Sequence, residues 1–209
     1  MFVFLQKVDM KRKILKTRCA PNDDEEENSD SDSECEVTRL KNSVYFYCDV
    51  NNKSILQLIS ALDAASTDAL ASSYYPTEAR VYLYIHSRGG DAYSGLSAMD
   101  KIRLNPVPVI TIADGYVASA ATFMLLGADE RKALKSAKLL IHQLSTGFWG
   151  KYSDLVDEMA NSKELMETLR NVYKNRTQIP AKLLDELLSK ELHISADDAL
   201  VNGIVDEVW

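Results

Sequence analysis

The sequence has few of the residues and segments that define several protein classes. It holds three cysteines in 209 residues, Cys19, Cys35 and Cys48, an odd number at spacings that match no zinc-binding pattern. We therefore expect unlinked thiols in a reducing compartment rather than a disulfide framework. No apolar run approaches the length of a membrane-spanning helix, and the apolar start at residues 1–5 is too short for a signal peptide. These absences predict a soluble, cytoplasmic protein with no membrane partner.

Positive charge is also scarce. Lysine and arginine total 24 against 31 aspartates and glutamates, for a net charge of −7. A protein that binds nucleic acid through its phosphates needs a concentrated basic face. Nucleic acid is therefore not expected as the main partner.

Residues 1–40 differ in composition from the rest of the chain. A basic run from Lys11 to Arg18 is followed by an acidic run from Asp23 to Glu36. Such a segment buries little apolar surface and repels itself, so it is predicted to be a disordered tail. Residues 41–209 are predicted to form one folded domain.

From residue 43 onward, apolar patterns typical of strands alternate with patterns typical of helices. Strands are predicted at residues 44–48, 81–85, 107–112, 138–141 and 204–208. Helices are predicted at residues 54–65 with Ser54 as N-cap, from the Gly89-Gly90 turn to 102, from a turn at Gly115 to 126, at 151–176, and in shorter stretches from Pro180 and Ser195. Repeated strand and helix units of this kind indicate the α/β class.

The predicted helix at 151–176 carries a long apolar stripe. A stripe of this kind ordinarily packs on the core, but a helix this long can extend past its own domain, and the stripe would then face another subunit.

Three histidines narrow the search for a general base. His193 lies in a polar connection, and His86 ends a strand just before Gly89. His142 ends the apolar strand at 138–141, and strand ends are where α/β proteins place their sites. His142 is the strongest candidate, with a purely structural histidine as the alternative.

Ser119 lies among small residues where a buried strand leads into an apolar helix. It is either a helix cap or a nucleophile presented beside free amide groups at the helix start, which suit a developing oxyanion. Gly89 and Gly90 form either a simple turn or a second oxyanion donor, the Gly90 amide, with an edge on which a peptide substrate can pair.

Four segments in order resemble the ClpP family of self-compartmentalising serine peptidases. They are YLYIHSRGG at 82–90, GYVASAA at 115–121, LIHQ at 140–143 and ISADDALVNGIVD at 194–206. The resemblance covers about residues 44–209, and the chain is identified as a divergent member of the family, with a virus-encoded member as one option.

The resemblance implies a role for each matching residue. Ser119 attacks the peptide carbonyl and forms an acyl-enzyme, and His142 takes its proton and returns it to the leaving amine. The amides of Gly90 and Ala120 hold the oxyanion, and Gly89, Gly90 and Asp91 contact the substrate.

The third catalytic position departs from the family. The family has an aspartate four residues before the Ser195 segment, and this chain has Glu191 there. Glutamate orients the base in some serine hydrolases. Asp185 and Asp154 are the fallback candidates, and a plain surface role for Glu191 is the alternative.

The resemblance also implies a fold and partners. The fold is a superhelix of stacked ββα units, shared with the crotonases, from which the helix at 151–176 protrudes as a handle. Subunits would form two stacked rings of seven around a chamber for polypeptide substrates, fed by a ring-shaped Clp-type ATPase. No metal or cofactor is implied, and ATP enters only through that ATPase.

Departures from the family leave other functions open. Arg88, His86 and Asp114 replace residues of other types, and residues 1–40 do not resemble the family's gating segment. The alternatives are a weakly active or inactive structural subunit, a capsid-maturation protease that works without an ATPase, and a crotonase-type enzyme that acts on acyl-CoA.

Overall fold

The computed structural model describes residues 36–209. Residues 1–35, which make up most of the predicted tail, lie outside the described residues. The last five residues assigned to that tail instead form a strand, Glu36–Leu40, which pairs antiparallel with the next strand. The folded part therefore begins before the predicted boundary at residue 41.

The described residues form eight strands and six α-helices. The strands are β1 (Glu36–Leu40), β2 (Ser43–Tyr47), β3 (Val81–Ser87), β4 (Val109–Ala118), β5 (Glu130–Ala133), β6 (Lys138–Leu140), β7 (His193–Ser195) and β8 (Glu207–Val208). The helices are α1 (Asn52–Ser72), α2 (Ala92–Arg103), α3 (Ala120–Gly127), α4 (Tyr152–Arg176), α5 (Ala181–Ser189) and α6 (Ala196–Val201). Among these, no helix is long and apolar enough to cross a membrane.

One mixed sheet organises the fold. Its strand order is β1-β2-β3-β4-β5-β8; off this path, β6 pairs with β4, and β7 pairs with β6. Neighbours from β2 to β8 run parallel, whereas the β1–β2 and β6–β7 pairs are antiparallel. Parallel neighbours need crossover connections, and helices supply most of them. The predicted α/β class is confirmed.

Strand β4 is shared between two parts of the sheet. Its first half, from Ile110 to Ala113, pairs with β5, and its second half, from Tyr116 to Ala118, pairs with β6. Between the halves Gly115 has a φ of 73°, and the register with β3 shifts at this level. The predicted turn at Gly115 is therefore wrong, because the glycine bends a continuous strand and re-aims its second half.

The first helix begins two residues before the predicted start at Ser54. The side chain of Asn51 accepts from the Ser54 amide at 3.0 Å, and the Ser54 hydroxyl accepts from the Asn51 amide at 3.0 Å. This reciprocal pair is a capping box. Asn51 is the N-cap, and Ser54, which was predicted as the N-cap, is its partner inside the helix.

The apolar stripe of α4 divides into two parts. Leu169 and Tyr173, near the carboxyl end of the helix, are buried in the core. Leu155, Val156 and Met159, near its amino end, are exposed. The helix thus packs on its own subunit through its second half only.

Candidate active site

Ser119 stands at the junction between β4 and α3 in an unusual backbone conformation. Its φ is 55° and its ψ is −128°, and Lys41 is the only other non-glycine residue of the described chain with a positive φ. A serine in this region of φ/ψ space is strained by about 1–3 kcal/mol, and such strain persists only where the surroundings hold it. Strain of this kind is common at functional sites.

Backbone hydrogen bonds hold Ser119 on both sides. Its amide donates to the carbonyl of Leu140 at 2.8 Å, which ties the serine to the strand that leads to His142. Its carbonyl accepts from the Thr122 amide at 2.9 Å and from the Thr122 hydroxyl at 2.6 Å. The serine is thereby fixed between β6 and the first turn of α3.

Gly89 packs directly beneath this junction. A Cβ at position 89 would lie 2.6 Å from both the Ala118 carbonyl oxygen and the Ser119 Cβ, closer than real contacts allow. The φ of Gly89 is 94°, in a region that glycine tolerates and other residues rarely adopt. Gly89 is therefore required so that the β3 end can approach the serine.

Two backbone amides near Ser119, those of Gly90 and Ala120, are the predicted oxyanion donors. Within the described residues, neither the Gly90 amide nor the Ala120 amide donates to a protein acceptor. The Ala120 amide is free because it lies in the first turn of α3. The Gly90 amide is free because Val50 pairs instead with its neighbours, donating to the Gly89 carbonyl at 2.7 Å and accepting from the Asp91 amide at 2.8 Å.

Two side chains of the segment before α2, Asp91 and His86, already have hydrogen-bond partners. The Asp91 carboxylate caps α2 by accepting from the Ser94 amide at 2.7 Å. Near the end of β3, the His86 ring lies 2.9 Å from the backbone carbonyl oxygen of Asp114. The Asp114 carboxylate accepts a hydrogen bond from the Tyr47 hydroxyl. Asp91 therefore offers a bound substrate its backbone and its charge, because its carboxylate is already bonded to the start of α2.

His142 and Ser119 line one open cavity of about 700 Å³, together with Gly90 and Asp91. His142 is half-buried and belongs to residues 141–150, which follow β6 without forming a helix or strand. The structure thus brings the predicted nucleophile, base and oxyanion donor to one cavity.

Glu191 lies on the connection between α5 and β7. It lines a second cavity, of about 210 Å³, and His142 lines this cavity as well. His142 therefore lines both cavities, one with Ser119 and the other with Glu191.

The fallback acids have other partners. Asp185 forms an ion pair with Arg170. Asp154 accepts from the Lys151 amide at 3.3 Å at the start of α4. Neither lines either of the cavities that His142 shares.

The three predicted catalytic side chains are not hydrogen-bonded to one another within the described residues. Within residues 36–209, the Ser119 hydroxyl, the His142 ring and the Glu191 carboxylate form no hydrogen bond. Catalytic hydrogen bonds are often long or absent before a substrate binds. The same described part of the chain holds no group of three or more histidine, cysteine, aspartate or glutamate side chains suited to a metal ion.

Sequence reasoning missed Thr122 and Tyr173. The hydroxyls of these two side chains lie 2.6 Å apart, and both residues are buried. Tyr173 was assigned to the apolar stripe of the long helix, since a tyrosine at helical spacing gives no sign of where its hydroxyl lies. A threonine three residues after the candidate nucleophile was the only available signal.

Comparisons with known proteins bear on the family of the chain. The sequence profile of the family described as Clp protease matches residues 41–209. The ATP-dependent Clp protease proteolytic subunit of Pleurastrum terricola is 32% identical over 162 residues, which cover 77% of this chain and 79% of that protein. The subunit of the same name from Deinococcus radiodurans is 32% identical over 133 residues, which cover 63% of this chain and 65%, just under two thirds, of that protein.

A solved structure of similar fold is a point mutant of ClpP1 from Listeria monocytogenes. It superimposes with a TM-score of 0.68 and 20% sequence identity, over 81% of this chain and 91% of that one. The similarity confirms the predicted ClpP-like fold. Since the family profile covers nearly the whole described part, this chain belongs to the Clp protease family.

Proposed function

We propose that the chain is the proteolytic subunit of a Clp-type protease and cleaves polypeptides as a serine endopeptidase. Ser119 attacks the scissile carbonyl, and His142 first accepts the serine proton and then donates a proton to the leaving amine. The amides of Gly90 and Ala120 bind the oxyanion of each tetrahedral intermediate. Water then hydrolyses the acyl-enzyme by the same route.

The observation that carries this proposal is the setting of Ser119. A strained serine at a helix start, with two free amides beside it and a histidine in the same cavity, is suited to acyl transfer. The names of the relatives in the family are those of proteolytic subunits, which favours an active peptidase over the inactive, capsid-processing and acyl-CoA alternatives.

Glu191 is proposed as the third member of the triad. It shares a cavity with His142, whereas Asp185 and Asp154 are held by other groups. Its carboxylate orients the imidazole in the substrate complex and stabilises the positive charge of the ring.

The substrate is an extended peptide that pairs with the backbone of Gly89, Gly90 and Asp91 at the cavity edge. Subunits assemble into two stacked rings of seven, and the exposed half of α4 contacts the opposite ring. A Clp-type ATPase supplies unfolded chains, and the subunit itself needs no metal or cofactor.

Labelling with a fluorophosphonate tests the nucleophile. The purified full chain, Ser119→Ala and Glu191→Ala are treated with the probe, and the modified residue is mapped by mass spectrometry. We expect stoichiometric labelling of Ser119, none in Ser119→Ala, and slower labelling in Glu191→Ala.

Two matched variants sharpen the assignment of the acid. Asp185→Ala and Asp154→Ala should label at the wild-type rate, because these carboxylates do not reach His142. Peptide cleavage that survives in Ser119→Ala would overturn the proposed function. Labelling slowed by Asp185→Ala instead of Glu191→Ala would reassign the third member.

A further inference from the structure

The hydroxyls of Tyr173 and Thr122 form a buried chain that ends on the nucleophile. The Tyr173 hydroxyl lies 2.6 Å from the Thr122 hydroxyl, which in turn lies 2.6 Å from the Ser119 carbonyl oxygen. Tyr173 is 1% exposed and Thr122 is 0% exposed, so water does not compete for either group.

The direction of the chain follows from counting hydrogens. A carbonyl only accepts, so the single hydrogen of the Thr122 hydroxyl is donated to Ser119. Tyr173 must therefore donate to Thr122. Burial raises the pKa of Tyr173, more than its hydrogen bond to Thr122 lowers it, so the phenol keeps the proton that it donates.

The Ser119 carbonyl and the Ala120 amide belong to the same peptide group. That group is planar, and in the trans form its C=O and N–H point in opposite directions. Fixing the Ser119 oxygen by the Thr122 amide and hydroxyl therefore fixes the direction of the Ala120 N–H. This N–H is one of the two free amides beside the nucleophile.

We infer that Thr122 and Tyr173 are positioning residues that aim the Ala120 amide into the oxyanion hole and hold Ser119 in its strained conformation. The inference rests on the proposed function and deepens it. A threonine that bonds back to a carbonyl in its own helix is common. Here the Tyr173 hydroxyl adds a contact from α4. This contact links the direction of the oxyanion donor to a helix whose other half is exposed.

The test separates a positioning role from a structural one. Thr122→Val, Tyr173→Phe and the double variant are made in the full chain, with Thr122→Ser as the conservative rescue. Each is measured for kcat and KM on a fluorogenic peptide, for the rate of fluorophosphonate labelling at Ser119, and for Tm.

Thr122→Val should lower kcat and the labelling rate by about tenfold, with little change in KM. This loss is smaller than the loss of kcat caused by removing an oxyanion donor outright. Tyr173→Phe should cause a smaller fall, and Thr122→Ser should stay near wild type. Thr122→Val also leaves the buried Tyr173 hydroxyl unpaired, so its Tm should fall. The double variant removes both partners, so its Tm should recover while its kcat stays as low as that of Thr122→Val.

The matched control is Thr111→Val. Thr111 is equally buried, and its hydroxyl donates at 2.8 Å to the Leu125 carbonyl at the other end of α3. Its loss should lower Tm and leave kcat unchanged.

A kcat that recovers together with Tm in the double variant, or one that Thr122→Val leaves unchanged, overturns the inference. If Ser119 is labelled at the wild-type rate in the double variant, the inference alone fails and the proposed function stands. If wild-type Ser119 is not labelled and Ser119→Ala still cleaves peptide, both fail.

Discussion

Gly89 is the residue that lets β3 approach the nucleophile. A methyl group at this position would collide with the Ala118 carbonyl and the Ser119 Cβ, each 2.6 Å away. We expect Gly89→Ala to lower kcat by a factor of about 100 or more, because it displaces Ser119 relative to the oxyanion donors. Steady-state cleavage of a fluorogenic peptide measures the change.

Gly147 provides the control for this substitution. A Cβ at position 147 would have nothing within 4 Å, so Gly147→Ala should keep wild-type kcat and stability. Equal loss of activity in both variants would show that the close approach at Gly89 is not what matters.

Tyr47 provides a pH-dependent signal far from the nucleophile. Burial, followed by the hydrogen bond to Asp114, raises the pKa of Tyr47 from 10.0 to about 12. The folded state holds this proton more tightly than the unfolded state, so the stabilisation is fully present below pH 10 and lost as the pH rises toward about 12. Asp114→Asn should bring the pKa of Tyr47 back toward its ordinary value, since it removes the neighbouring negative charge.

Ultraviolet titration of tyrosinate checks this prediction. The difference between wild type and Tyr47→Phe isolates the Tyr47 transition, and the same difference in the Asp114→Asn background shows its shift. A Tyr47 transition that is unmoved by Asp114→Asn would contradict the assigned cause.

The sequence predicted the residues of the candidate site better than their supports. Ser119, His142 and Gly90 were predicted from segments with a recognisable order, and the structure places them at one cavity. Thr122 and Tyr173 could not be predicted, because the direction of a buried hydroxyl depends on how two helices pack. No periodicity in the sequence records that packing.

At the scale of elements, Arg176 joins the carboxyl ends of α4 and α3. Its guanidinium donates to the carbonyls of Leu126 and Ala128 at 3.0 Å and 2.7 Å and pairs with Asp129 at 3.1 Å. Arg176→Ala should lower the free energy of unfolding by about 2 kcal/mol, since it leaves two carbonyls of buried residues without their charged donor. Urea unfolding at fixed protein concentration measures this.

Two variants bracket the effect. Arg176→Lys should recover little, because a single ammonium cannot span the same set of acceptors. Arg103→Ala removes an exposed pair with Asp100 at a helix end and should cost about 0.5 kcal/mol or less. A loss in Arg176→Ala no larger than that in Arg103→Ala would contradict the role given to this arginine.

The elements that the sequence predicted are those with apolar patterns. Strands β2, β3 and β6 and helix α4 were predicted close to their observed bounds, whereas β4 ends six residues and α1 seven residues beyond the predicted ends. Strand β5 was missed because three of its four residues are charged and only Ala133 is buried. Strands β1 and β7 are short and paired at the sheet margins, so they carry little pattern of their own.

At the scale of the whole molecule, the first half of α4 and the loop before it expose a continuous apolar stretch. Its large side chains are Phe148, Trp149, Tyr152, Leu155, Val156 and Met159. Trp149 is 88% exposed and Tyr152 is 84% exposed, which is unusual for aromatic side chains unless another surface covers them. The stacked rings of the proposed assembly would supply that surface.

Met159→Glu should separate the two rings, because it places a charge in the proposed contact. The expected result in sedimentation velocity is a particle of about half the wild-type mass. Met159→Leu keeps the apolar volume and should sediment like wild type. An undivided particle in Met159→Glu would mean that this stretch does not join rings.

The proposed nucleophile and its proposed base belong to parts of the chain that differ in secondary structure. Ser119 stands between a buried strand and a buried helix, whereas His142 and Glu191 lie on connecting segments without regular secondary structure. An inhibitor that contacts only Ser119 and the two amides would bind the part of the site that the junction between β4 and α3 fixes. An inhibitor that also contacts His142 would depend on the connection that follows β6, so the two kinds of inhibitor would separate changes at the junction from changes in that connection.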